Sequence, residues 1–139
     1  MTGSTCRPSP CPSCPYRRDV PSGVWAADEY DRLPKWDGDI FEQACARAVN
    51  AFSCHSTPSL LCAGWVGHRD RPDDLLAVRL GISGSRIDPS VLDYRTAVPL
   101  FESGAAAAEH GRREVADPGD AAREAIRKIV RVRPDVTPR

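Results

Sequence analysis

The chain has 139 residues and a mass of 15.2 kDa, the size of one domain, and its 19 basic side chains are balanced by 19 acidic ones. Only 27 residues are Ile, Leu, Val or Phe, whereas Ala supplies 17, so burial alone gives a thin core. Small domains in that position usually add disulfides or a metal, and six cysteines supply the material. No run approaches the roughly 18 apolar residues of a membrane span. The sequence carries no phosphate-binding P-loop, no dinucleotide glycine motif, no H-E-x-x-H and no nucleophile elbow, which removes the familiar nucleotide, zinc-protease and esterase readings.

Residues 1–10 are polar, contain proline and lack the apolar stretch of a secretory signal. They are expected as a disordered tail of a cytoplasmic protein, with the domain at 11–133 and a second tail at 134–139. A reducing compartment makes the cysteines metal ligands, catalytic groups or core before it makes them disulfides. Residues 11–25, CPSCPYRRDVPSGVW, read as a turn-rich loop. A short helical turn follows at 28–33. Ile40, Phe41, Ala44, Cys45, Ala48, Val49 and Phe52 recur at helical spacing and predict an amphipathic helix near 39–50. Residues 51–55 fit a short strand equally well.

Residues 62–67, CAGWVG, are small around one Trp. A helix is expected over 73–80 with Gly81 at its C-cap, then irregular chain over 82–99. Ser103 is the natural N-cap of a helix over 104–114. For the last helix, 118–133, Asp117 is the expected cap and Pro118 the first helical position. Glu124 and Lys128 form a favourable i,i+4 pair there. The ends are basic and the middle acidic: +2 over residues 1–20, −6 over 21–120 and +4 over 121–139. That asymmetry points weakly to an anionic partner at the ends, through the basic 123–133 helix.

The cysteines carry the chemistry. Cys11 and Cys14 form a C-x-x-C pair in a proline-rich turn, the knuckle that recurs in zinc sites. Cys54-His55 and Cys62 follow, and the proline-containing loop between them can bring its ends together. Two thiolate pairs make a closed tetrahedral shell for a structural zinc. Cys54 and His55 are adjacent, so extended backbone turns them to opposite faces and one of the two is the ligand. Cys54, on the face of Phe52, is the choice; His55 is the alternative ligand or a support for it. Cys45 reads as a core thiol. Cys6, Cys11 and Cys14 also reproduce the C-x4-C-x2-C spacing of plant-type ferredoxins, which makes an iron–sulfur cluster the alternative cofactor. Thioredoxin-like chemistry wants its first cysteine at a helix N-terminus after a strand, a context absent here.

Arg17, Arg18 and Asp19 flank the knuckle, where cations would offset thiolate charge. Trp25 and Trp65 each follow shortly after a glycine, Gly23 and Gly64, close to a cysteine cluster and are expected to exclude water from the site. His68 and His110 are isolated and read as surface residues, and no nucleophile–base pair follows from spacing.

These motifs resemble a family of small uncharacterised cysteine-containing domains of actinobacteria and their phages. The resemblance rests on CPSCPYRRDVPSGVW at 11–25, CHSTPSLLCAGW at 54–65, LLAVRLG at 75–81 and VLDYRTAVPLFESG at 92–104. It implies Cys11, Cys14, Cys54, His55 and Cys62 as the metal-site set and leaves out Cys6 and Cys45. It also implies an extended run before the Cys-His pair, against the helix over 39–50. The expectation is a small single domain, α+β or mainly α with irregular loops, organised around one metal site. Its expected role is an accessory or regulatory binding protein rather than an enzyme, meeting a protein or nucleic acid; the alternative is an iron–sulfur redox or sensor protein.

Overall fold

The computed structural model describes residues 3–36, 40–45, 51–54 and 59–132. It is mainly helical: α1 (Ala27–Arg32), α2 (Ile40–Cys45), α3 (Ala63–Gly67), α4 (Leu76–Ser83), α5 (Gly104–Arg112) and α6 (Asp120–Val132). Short 3-10 turns extend α1, precede α4 and lie at Pro89–Asp93. Extended chain among the described residues pairs only through isolated bridges, so the α+β option gives way to the mainly α one.

Helix α1 begins with Asp28 and Glu29 and ends with Arg32, charges that suit the ends of the helix dipole. Its Tyr30 is buried and accepts a hydrogen bond from the Trp25 backbone N–H at 3.0 Å. Helix α5 packs across α1 because its inner face is small. A Cβ on Gly111 would collide with the Tyr30 ring, and one on Gly104 with the Leu33 backbone. Ser103 caps α5 as expected, its Oγ accepting from Ala106 N–H at 3.0 Å, and the helix stops at Arg112 rather than at 114.

The expected tail at 1–10 is docked over its described residues. Ser4 pairs with Ile87 and Cys6 with Leu61, both in parallel bridges. Ser4 N–H donates to Arg86 O at 2.8 Å and Leu61 N–H to Thr5 O at 2.9 Å, and Pro10 is fully buried. Polar composition misleads here because backbone hydrogen bonds, which side-chain polarity does not encode, anchor much of the segment.

The helix expected over 39–50 is present as α2 over Ile40–Cys45, while 46–50 lie outside the described residues. Its buried face is not the apolar one. Phe41 is 75% exposed and Cys45 is exposed, so Cys45 is not a core thiol. Gln43 is buried instead. Its Oε1 accepts from Leu76 N–H at 2.7 Å and its Nε2 donates to Asp74 O at 2.8 Å, satisfying backbone groups at the start of α4. Satisfying that helix terminus sets which side of α2 turns inward.

The segment expected as one helix over 73–80 divides. Pro72–Asp74 is a 3-10 turn, Leu75 is extended, and α4 runs on to Ser83. Gly81 lies inside α4, where a Cβ would strike the Ile87 side chain, and Gly84 is the C-cap. Helix α6 starts two residues later than expected, putting Gly119 rather than Asp117 at the N-cap position. Asp117 pairs with Arg123 at 3.0 Å. Ala122, Ile126 and Ile129 are buried and Val130 half-buried, as the spacing requires. Glu124 pairs with Arg127 rather than Lys128. No helix among the described residues is long and apolar enough to cross a membrane.

Candidate metal centre

The knuckle at 11–14 is closed by its own backbone: Cys14 N–H donates to Cys11 O, and Arg17 N–H to Cys14 O, each at 3.0 Å. Trp25 Nε1–H donates to Ser13 O at 2.8 Å, fixing the turn under a buried indole. The second cysteine pair lies on extended chain. Ser53 bridges Leu61, with Cys54 N–H donating to Leu60 O at 2.9 Å and Cys62 N–H to Phe52 O at 2.8 Å. Alternation along that chain exposes Ser53 and buries Phe52 and Cys54 together, the shared face expected from sequence.

Cys11, Cys14, Cys54 and Cys62 are 2%, 0%, 2% and 2% exposed and belong to one core cluster. Among the described residues no disulfide joins any two cysteines. Cys14 Sγ and Cys62 Sγ stand 3.6 Å apart. Cys62 is also the N-cap of α3, a helix the small residues at 62–67 did not announce, and its Sγ accepts from Trp65 N–H at 3.4 Å. Cys11 Sγ lies 3.7 Å from Ser13 Oγ. Among the described residues, no three His, Cys, Asp or Glu side chains stand together at ligand spacing. The structure therefore brings Cys14 and Cys62 together and buries Cys11 and Cys54 in the same hydrophobic core, without gathering a third of these side chains at ligand spacing. His55 lies outside the described residues.

The Cys62 thiol hydrogen-bonds to Cys14 and pulls the Cys14 thiol below the usual range, helped by the Tyr16 and Gly64 backbone N–H groups and opposed by burial. The same bond raises Cys62 well above that range, and complete burial raises it further. Gly64 belongs to this cradle, because a Cβ there would collide with Cys14 Sγ and crowd Tyr16 Cβ at 3.0 Å.

Arg17 does stand beside the knuckle. Its Nε and Nη2 grip both Asp19 oxygens at 2.8 Å, and its Nη1 donates to Pro10 O at 3.1 Å. Arg18 does not: it reaches Leu100 O at 2.8 Å and Glu102 at 3.0 Å, with its guanidinium 5.1 Å from the Phe101 ring centre. Trp65 is 1% exposed, in keeping with a water-excluding role. His68 and His110 are packing residues rather than loose surface groups. His68 stacks on Tyr16 at 4.6 Å, and His110 Nε2 lies 2.8 Å from Val20 O. Cys6 is half-buried and fixed by its bridge to Leu61, which its polar surroundings in sequence did not suggest.

No curated protein and no solved structure matches the chain. Residues 6–133 match a family model described as a family of unknown function (DUF6283), a span that takes in the knuckle, the second cysteine pair and α1 to α6. The chain belongs to that family of unknown function.

Proposed function

We propose that the protein is a small accessory or regulatory binding protein whose fold is stapled by one structural zinc ion held by Cys11, Cys14, Cys54 and Cys62. The observation that carries this reading is the contact of Cys14 with Cys62, from two separated segments, in a core where Cys11 and Cys54 are also buried and no disulfide forms. The donor set has the right chemistry for zinc. The Cys14–Cys62 separation of 3.6 Å supports it, being close to the edge of about 3.8 Å in a tetrahedron with 2.3 Å zinc–sulfur bonds. A thin core gains most from such a staple, since binding free energy at a structural zinc is folding free energy. Thiolate zinc suits a reducing compartment, so we place the protein in the cytoplasm. The test is elemental analysis of freshly purified protein, with zinc near one equivalent per chain and loss of zinc in Cys11→Ser, Cys14→Ser and Cys62→Ser.

A second reading, an iron–sulfur redox or sensor protein, draws on Cys6, which the Leu61 bridge holds one residue from Cys62. Paired residues in a bridge share a face, which sets Cys6 with Leu61 and turns Cys62 to the other side. That alternation favours the four-cysteine zinc set. Purification without oxygen separates the two: an iron–sulfur protein is brown and absorbs in the visible, and a zinc protein is colourless.

A further inference from the structure

Helix α6 places Arg123, Arg127 and Arg131 at i, i+4 and i+8 on its exposed side, with Lys128 beside them. The stripe is about 12 Å long at 1.5 Å per residue. Its inner face, Ala122, Ile126 and Ile129, is buried against the domain, so the helix cannot turn an apolar side into a lipid surface.

The helix dipole explains only part of this pattern. Among the described residues of α6 only Arg131 is a cation in the last turn, whereas Arg123 sits one turn from the N-terminus, where the dipole disfavours it. Local ion pairing does not absorb the charge either. Arg123 pairs with Asp117 and Arg127 with Glu124, both in exposed positions that a competing anion can enter. Glu124 is one carboxylate facing Arg127, Lys128 and Arg131 together. Residues 21–120 oppose this sign, with a net charge of −6. A polyanion is thus drawn to the basic helix and repelled by the acidic middle of the chain, which biases its direction of approach. The sequence of α6 contains no aromatic residue on which unpaired bases could stack.

We propose that the outer face of α6 binds the phosphate backbone of duplex DNA through Arg123, Arg127, Lys128 and Arg131, without reading base sequence. The proposal is independent of the metal centre, since no cysteine takes part.

The test is fluorescence anisotropy of the full chain with an arbitrary duplex of about 20 base pairs at roughly 50 and 200 mM salt. Four phosphate contacts give an affinity loss of about a hundredfold across that range. Lys128→Gln with Arg131→Gln leaves two contacts, so binding at 50 mM weakens and the salt-induced loss shrinks to about tenfold. Both positions are exposed, and an unchanged thermal midpoint establishes that the variant is folded. No binding at about 50 mM salt, or an unchanged salt dependence in the folded variant, overturns the proposal. Equal binding of polyglutamate or phosphatidylserine vesicles at matched charge overturns the assignment to DNA.

Discussion

Cys14 and Cys62 are separated by 48 residues in sequence, and their Sγ atoms lie 3.6 Å apart in the core. Each sulfur also receives backbone N–H groups: Trp65 for Cys62, and Tyr16 with Gly64 for Cys14. The pair joins the proline-rich knuckle to the start of α3 at a point where both are buried.

Gly64→Ala tests the closeness of that junction. The added methyl collides with Cys14 Sγ and cannot move away, because Tyr16 Cβ is 3.0 Å from the same place. Overpacking of this kind costs about 1–3 kcal/mol. Urea denaturation is expected to show that loss together with a lower zinc content; a variant with wild-type midpoint and zinc means that α3 and the knuckle are not in tight contact.

Gln43→Ala and Cys45→Ser form a pair with opposite expectations. Gln43 satisfies Leu76 N–H and Asp74 O, so its truncation is expected to cost about 1–3 kcal/mol through unmet backbone groups. Cys45 is exposed, and its substitution is expected to stay within about 0.5 kcal/mol. Chemical denaturation of both variants settles the orientation of α2. The reverse ranking would restore the apolar face read from sequence.

Cys54→Ala is expected to lose the metal, whereas His55→Ala is expected to keep one ion with weakened affinity. Zinc competition with a chromophoric chelator measures both. The opposite result makes the shell three cysteines and one histidine, which is equally ordinary for zinc.

The Arg17–Asp19 pair gives a pH dependence with a defined sign. Arg17 holds the Asp19 carboxyl below its ordinary value, mainly by direct hydrogen bonding. A carboxylate lowered in the folded state contributes stability above its unfolded value of about 3.9 and loses it as pH falls through the folded value. Asp19 is largely exposed, so the contribution is small. Asp19→Asn is expected to lower stability slightly at neutral pH and to converge with the wild type as pH falls from about 5 to 2, which flattens the acid limb. A larger loss at acid than at neutral pH would contradict that sign.

Much of the fold was legible in local sequence. Ser103 announced α5 and the 122, 126, 129 spacing announced the buried face of α6, because caps and 3.6-residue periodicity act within one element. The docked segment at 3–10 was not legible, since its anchors are backbone hydrogen bonds to Arg86 and Leu61 that no side-chain pattern encodes. Gln43 was missed for a related reason: its burial depends on the α4 terminus more than 30 residues away. Helix α3 hid behind glycines that sequence reads as breakers and that the packing requires for close approach. At the candidate centre, the C-x-x-C spacing and the shared face of Phe52 and Cys54 could be read directly. That Cys62 doubles as a helix cap could not.

Zinc content measured beside folding tests the central claim most directly. Freshly purified wild-type protein should carry one equivalent of zinc, and a chelator should remove the metal and the cooperative unfolding transition together. Cys11→Ser combined with Cys14→Ser should lose both without any chelator. Wild-type protein that is folded and free of zinc, or full zinc retention in that double variant, would contradict the account.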